Sequence, residues 1–83
     1  MQELVGYIVE SLTGNSDFDI AISESDRLIT ITLSPDDIGR VIGRGGKTAK
    51  AIRLIVKAAA AKRNKRYDVE ICERDADSNR EDN

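Results

Sequence analysis

The chain has 83 residues, of which 13 are basic and 15 acidic, so its formal net charge is −2. Hydrophobic residues make up 40% of the chain, which suffices for one small domain with a thin core and excludes a multidomain protein. The single cysteine, Cys72, has no partner for a disulfide, and no apolar run approaches the length of a signal peptide or membrane span. We therefore expect a cytoplasmic protein from a reducing compartment.

The first half of the chain predicts a helix followed by two strands. Residues 2–13 read as an amphipathic helix that stops at Gly14, because apolar residues recur in it at helical spacing: Leu4, Val5, Ile8 and Leu12. Strict alternation of apolar and polar residues then predicts a hairpin, whose inward residues are Phe18, Ile20 and Ile22 on one strand and Ile29, Ile31 and Leu33 on the next.

The second half predicts two helices and a last strand. Ser34 and Pro35 are a strong helix start, and a short helix is expected from Pro35 to about Ile42. A longer helix is expected from Lys47 to about Lys62, with one apolar face formed by Ile52, Ile55, Val56 and Ala59. Alternation predicts the final strand, with Tyr67, Val69 and Ile71 on one side.

These elements predict one α+β domain over residues 1–73. Their order is α-β-β-α-α-β, and the helices are expected to cover one face of a three-stranded sheet. Residues 74–83 are polar and charged, so we expect them to form a disordered tail.

The charges are segregated along the chain. Between Ile38 and Tyr67 there is no acidic residue, and ten of the 13 basic residues lie there: Arg40, Arg44, Lys47, Lys50, Arg53, Lys57, Lys62, Arg63, Lys65 and Arg66. Such a basic surface attracts polyanions whatever the total charge. The alternative is a solvated basic helix face with no ligand, but surface helices normally mix both signs.

Three glycines in four residues, Gly43-Arg44-Gly45-Gly46, separate the two predicted helices. A helix stop needs one glycine, whereas several let another backbone approach closely. The amides at the start of the helix from Lys47 favour a phosphate, and Arg40, Arg44, Lys47 and Lys50 add positive charge around it. The alternative is a tight helical hairpin in which the glycines only permit close packing.

Enzymatic motifs are missing from this segment. Gly46-Lys47-Thr48 resembles the end of a nucleotide-binding P-loop, but that motif needs a glycine where Val41 stands, and a dinucleotide-binding motif needs one at Thr48. The chain has no histidine and no acidic cluster with the spacing of a catalytic or metal site. We expect neither an enzyme nor a bound cofactor or metal.

The segment from Ile38 to Lys47, which reads IGRVIGRGGK, resembles the signature of a KH domain. The order of elements is similar to that of type II KH domains, which have a mixed sheet, and the length is similar to the KhpA (YlqC) family of small bacterial KH proteins. In this family the Gly-x-x-Gly loop clamps the backbone of about four nucleotides of single-stranded RNA. The resemblance covers roughly residues 1–73 and implies an RNA chaperone or post-transcriptional regulator.

By this resemblance, the RNA-binding residues are the loop, Gly43, Arg44, Gly45 and Gly46, with Lys47, Arg40, Lys50 and Arg53 beside it. The resemblance also implies a shallow groove for bases, lined by Ile38, Val41, Ile42 and Ile31, although Ile38 and Ile42 have the spacing of core residues. The scarcity of aromatic residues, 4% of the chain, disfavours modules that stack bases on aromatic rings.

An alternative function is a protein-interaction or dimerisation module. The long helix carries apolar residues outside its predicted core face, and with Ile55 they form a candidate interface: Leu54, Ile55, Ala58 and Ala61. Small domains also expose a few such residues without consequence. Proteins of the KhpA family are associated with self-pairing and with pairing to a second KH protein, so the two functions are compatible.

Overall fold

The computed structural model describes residues 1–74. The elements follow the order α1 (Gln2–Thr13), β1 (Phe18–Ser23), β2 (Leu28–Leu33), α2 (Pro35–Lys62) and β3 (Asp68–Glu73). The predicted tail therefore lies outside the described residues, apart from Arg74. The Arg74 amide donates a hydrogen bond to the Leu33 carbonyl at 2.6 Å, and its guanidinium lies 3.2 Å from Asp17.

The strands form one sheet in the order β1-β2-β3. The hairpin pairs β1 with β2 in antiparallel fashion, and α2 returns the chain so that β3 pairs in parallel with β2. Ile31 in the central strand lies between Ile20 and Ile71. The mixed sheet confirms the predicted α+β class.

The core lies on one face of the sheet. Ile29, Ile31 and Leu33 of β2 are fully buried, whereas Thr30 and Thr32, which point to the opposite face, are half-buried. Helices cover the first face with the following buried residues: Val5, Ile8 and Val9 from α1, and Val41, Ala49, Ile52, Val56 and Ala60 from α2. Because β2 is paired along both edges and buries one face in the core, this strand is the centre of the domain.

Helix α2 begins where the sequence predicts and breaks at the glycine loop. The Ser34 hydroxyl accepts a hydrogen bond from the Asp37 amide at 3.3 Å, and Pro35 occupies the first turn. Gly45 and Gly46 have φ angles of 78° and 74°, which a right-handed helix does not contain. The element therefore consists of a first segment, residues 35–44, and a second segment, residues 47–62. These segments and α1 are the three predicted helices, and the order α-β-β-α-α-β is confirmed.

The predicted core face of the second segment is wrong at Ile55. Ile52 and Val56 are buried and Ala59 packs against the core as expected, but Ile55 is 42% exposed, and Ala60 is buried in addition. Ile55 precedes Val56, and neighbouring residues lie about 100° apart around a helix. The narrow sheet covers only the arc that contains Val56. In α1, similarly, Val9 is buried and Leu12 is 38% exposed.

Candidate nucleic-acid interface

The backbone of the glycine loop favours glycine at two positions. Gly45 and Gly46 lie in the left-handed region, with φ near +78° and +74°, where a residue with a Cβ is strained by about 1–2 kcal/mol. The two residues turn the chain from the first segment into the second. The turn places the amide end of the second segment next to the loop, and the amide end of a helix favours an anion.

Gly43 is a glycine that the chain itself does not require. Its φ is not left-handed, it is exposed, and a Cβ built on it meets no atom within 4 Å. The same holds for Gly39, one turn earlier on the same face of the first segment. Each glycine costs a helix about 0.5–1 kcal/mol relative to alanine. The resulting flat, exposed face is open to the close approach of another molecule.

Gly39 was not among the residues that the sequence singled out for binding. The signal for it was present, because Gly39 and Gly43 are separated by four residues and fall on one helix face. A pair of glycines at this spacing makes the flat surface one helical turn longer than the Gly43–Gly46 loop alone.

Several cations surround this surface. Lys47 and Lys50 are exposed and Arg53 is half-buried, and none of the three forms an ion pair within residues 1–74. They follow the loop along the second segment, and Arg44 lies within the loop itself. Positive charge thus flanks the exposed glycines without being neutralised by the described carboxylates.

Arg40 is the exception among the predicted cations. Its guanidinium lies 3.9 Å from the carboxylate of Asp37, which is buried, while the Arg40 side chain remains 71% exposed. At this distance, and with the guanidinium so exposed, the pair is weak and leaves Arg40 available to a ligand. An exposed guanidinium keeps donors for a second acceptor, since arginine carries five N–H groups.

Asp37 anchors the first segment to α1. Its carboxylate accepts a hydrogen bond from the Asn15 side chain at 2.8 Å, just beyond the end of α1 at Gly14. The sequence identified Asp37 as a helix-start residue, but its burial and its bond to Asn15 are long-range features that no local pattern indicates. The anchor holds the segment that carries Gly39 and Gly43 in place.

The four predicted groove residues separate into two pairs. Ile31 and Val41 are 0% and 2% exposed and belong to the core. Ile42 is 52% exposed, and Ile38 is half-buried against the core. Apolar surface next to the loop is therefore supplied by Ile42 and in part by Ile38, whereas Val41 and Ile31 are not available to a ligand.

The predicted interface residues lie on the outer side of the second segment. Leu54 is 69% exposed, Ile55 is 42% exposed, and Ala58 and Ala61 are both exposed. Leu54, Ala58 and Ala61 follow the spacing i, i+4 and i+7 and form one apolar stripe beside Ile55. We call these four residues the apolar stripe.

Other candidate features are limited in the described part of the chain. No helix in residues 1–74 is long and apolar enough to cross a membrane. Over the same residues, no group of histidine, cysteine or acidic side chains is arranged to hold a metal ion. Cys72 is half-buried, and its burial together with the charge of Glu70 raises the pKa of the thiol.

Comparison with known proteins identifies a family over nearly all of the described chain. The family described as KhpA/KhpB, KH domain, matches residues 2–71. This match includes both segments of α2 and the loop between them. No solved structure matches the chain.

Curated relatives agree with this family over most or all of their length. The RNA-binding protein KhpA of Clostridium perfringens is 43% identical over 74 residues, which is 86% of this chain and 99% of the relative. KhpA of Listeria monocytogenes is 41% identical, covering 88% and 100% of the two chains. KhpA of Mycobacterium leprae is 40% identical, covering 81% and 86%.

Proposed function

Because the chain belongs to the KhpA/KhpB family of KH domains, we propose that it binds single-stranded RNA by seating the sugar-phosphate backbone on the loop Gly43–Gly46. The family consists of KH domains and not of enzymes, in agreement with the expectation from the sequence. The relatives named as RNA-binding proteins support this choice of ligand.

The observation that carries the proposal is the exposed glycine face. Neither the φ angle nor the packing of Gly43 or Gly39 calls for glycine, since a Cβ at either position meets nothing within 4 Å. A helix that retains two destabilising residues without an internal reason is best explained by a ligand that approaches its backbone closely. A sugar-phosphate strand is such a ligand.

The surrounding charges suit the same ligand. Amides at the start of the second segment are suited to donate hydrogen bonds to a phosphate, and Lys47 and Lys50, together with Arg44 in the loop sequence, supply positive charge. Arg40 adds an exposed guanidinium, and Arg53 extends the positive surface along the helix. Ile42 and the exposed part of Ile38 offer apolar surface on which bases lie.

In the cell, we propose that the protein acts in the cytoplasm as an RNA chaperone or post-transcriptional regulator. A clamp that holds a few backbone phosphates is suited to this role, because phosphate contacts position a strand but carry no sequence information. Such a protein engages many RNAs with modest selectivity.

Salt dependence tests the clamp. We expect the affinity for a single-stranded oligouridine to fall with salt, with a slope of log Kd against log salt of about 2 to 3, reckoned at about 0.7 per contact for three or four phosphates. Fluorescence anisotropy at several salt concentrations measures this slope. An affinity that does not change with salt would rule out a clamp built on phosphate contacts.

A second function, self-association, is supported by the apolar stripe. Leu54, with 69% of its surface exposed, and the adjacent Ile55 form an apolar surface on the outer side of the second segment. A paired stripe buries this surface from water, and each large side chain contributes about 1.5–3 kcal/mol when fully buried. We propose that the protein acts as a dimer, with itself or with a second KH protein.

Substitution of Leu54 tests the dimer. We expect Leu54→Glu to dissociate it, because a carboxylate replaces the more exposed of the two large side chains of the stripe, and to change RNA affinity only slightly. Sedimentation velocity of the full chain measures the mass. Tyr7→Glu is a matched control, since Tyr7 is 72% exposed on α1 and lies outside the stripe. The dimer is disproved if the mass of the unmodified protein is that of a monomer.

A further inference from the structure

A second basic surface lies at the far end of the helix from the glycine loop. An open concavity of about 430 Å³ is lined by four cations, Arg27, Lys57, Lys65 and Arg66, with Tyr67 and Asp68 beside them. We call it the basic pocket. The cations come from the hairpin, the second segment and the connection to β3, which are distant in sequence but converge in the fold.

The basic pocket is separate from the loop. Its helix residue Ala61 lies about 22 Å along the helix axis from Gly46, at 1.5 Å per residue. The two surfaces are joined by cations on one face of the second segment, where Lys50, Arg53 and Lys57 follow the spacing i, i+3 and i+7. A strand that leaves the loop along this face reaches the pocket.

The backbone around the basic pocket is held in uncommon conformations. Arg27 and Asn64, with φ angles of 54° and 62°, are the two residues other than glycine with positive φ in residues 1–74. Arg27 lines the pocket, and Asn64 directly precedes Lys65, which lines it as well. Asparagine tolerates this region, but arginine is disfavoured there by about 1–2 kcal/mol, and such strain tends to persist at functional positions.

Backbone hydrogen bonds fix these conformations. The Asp68 amide donates to the Arg27 carbonyl at 2.9 Å, which ties the hairpin to the start of β3. At the helix end, the amides of Lys65 and Asn64 donate to the carbonyls of Ala60 and Ala61 at 3.0 and 2.9 Å, the two bonds of a Schellman turn. The positions from which Arg27, Lys65 and Arg66 project are thus set before any ligand binds.

Two nearby carboxylates leave the basic pocket with an excess of positive charge. Asp68 lies 3.8 Å from Lys57, and both side chains are at least half exposed, so this pair is weak. Glu24 accepts a hydrogen bond from the Tyr67 hydroxyl at 2.8 Å, and this bond raises the pKa of the phenol. Four cations against Asp68 give the lining a net charge of +3, and Glu24, which lies beside the lining, reduces the local excess to +2.

From this geometry we propose that the basic pocket binds a second stretch of backbone phosphate on the RNA strand that the loop holds. The inference rests on the proposed function, because it requires an RNA strand at the loop. One guanidinium can donate two parallel hydrogen bonds to two oxygens of a phosphate. The concavity is also large enough to hold a nucleotide. The pocket extends the bound strand beyond the few nucleotides at the loop.

The experiment measures the affinity of the full chain for two fluorescein-labelled oligouridines. The short one has about four nucleotides, the number that a Gly-x-x-Gly loop holds, and the long one has about twelve. We expect the variant Lys65→Gln/Arg66→Gln to bind the long oligouridine about tenfold more weakly and the short one within about twofold of the unmodified protein. The salt slope for the long oligouridine should fall by about 0.7, the value of one phosphate contact.

The matched control is Lys62→Gln/Arg63→Gln, which removes the same charge from the same helix end without touching the lining of the basic pocket. We expect this control to change the affinity for the long oligouridine by less than about threefold. If both double variants weaken binding of the long oligouridine equally, the effect is one of general charge, and the proposal for the basic pocket is overturned. Equal affinity of the unmodified protein for the two lengths would overturn it as well, and in both cases binding of the short oligouridine leaves the loop proposal standing.

A free phosphate is distinguished from a strand by NMR. We expect the amides of Lys65, Arg66 and Asp68 to shift on addition of the long oligouridine but not with millimolar inorganic phosphate. Saturation of these shifts by phosphate alone, with no further change from RNA, would make the pocket a small-anion site and overturn the proposal. Failure of both oligouridines to bind would overturn the loop proposal and, with it, the pocket.

Discussion

Replacing Arg44 and Gly45 together with aspartate is expected to weaken binding of single-stranded RNA at least about 100-fold. Each aspartate places a negative charge next to the proposed phosphate, and a charge pair at such a surface is worth about 1–4 kcal/mol at 4 Å. Loss of the Arg44 cation adds to this effect. Anisotropy titration with oligouridine, at one salt concentration, measures the change.

The fold should survive this double substitution. Gly45 is exposed, and a Cβ there meets no atom within 4 Å, so the cost is confined to the left-handed φ, which aspartate tolerates at about 1 kcal/mol. Arg44→Asn/Gly45→Asn is the matched control, because it imposes the same backbone strain without the negative charges. We expect the asparagine variant to retain most of the affinity. Equal loss in both variants would mean that backbone strain, and not charge, disrupts binding.

Ile52→Ala is expected to destabilise the domain by about 2–5 kcal/mol. Ile52 is fully buried where the second segment meets the sheet, and its truncation leaves a cavity in a thin core. A chain of this size is stabilised by only about 4–12 kcal/mol. Thermal unfolding followed by circular dichroism should show a fall in Tm of about 10–30 °C.

Ile55→Ala provides the comparison for this substitution. This substitution removes the same atoms three residues further along the same helix, but Ile55 is 42% exposed. We therefore expect the free energy of unfolding to fall by less than about 1 kcal/mol. The measurement is made at a protein concentration at which the chain is monomeric, since Ile55 also belongs to the apolar stripe. Equal destabilisation by the two substitutions would contradict the rotational setting of the second segment.

The sequence predicted most of the fold because each element carries its own local signals. The Ser34-Pro35 start, the alternation in β2 and the glycines that end α1 and break α2 depend on residues close in the chain. The predicted and observed bounds of α1 agree at residues 2–13. Local chemistry sufficed for these elements.

Features that depend on tertiary contacts could not be predicted in the same way. Helical periodicity placed Ile55 with Ile52, but the width of the sheet decides which arc of a helix is covered, and Ile55 falls outside it. The burial of Asp37 against Asn15 joins residues 22 positions apart. No pattern within either segment indicates that contact.

The candidate site was predicted in part for the same reason. The Gly43–Gly46 loop and the cations that follow it are contiguous, so the sequence displays them directly. The basic pocket brings Arg27 from the hairpin next to Lys65 and Arg66, a convergence that depends on the parallel pairing of β3 with β2. Lys65 and Arg66 stood out only as part of a basic run.

The most direct test of the central proposal is an NMR titration of the ¹⁵N-labelled chain with a short oligouridine. We expect the largest amide shifts at Gly43, Gly45, Gly46 and Lys47, where the backbone is proposed to meet the phosphate strand. Shifts confined to the apolar stripe or to the open face of the sheet, with the loop amides unchanged, would contradict RNA binding at the glycine loop.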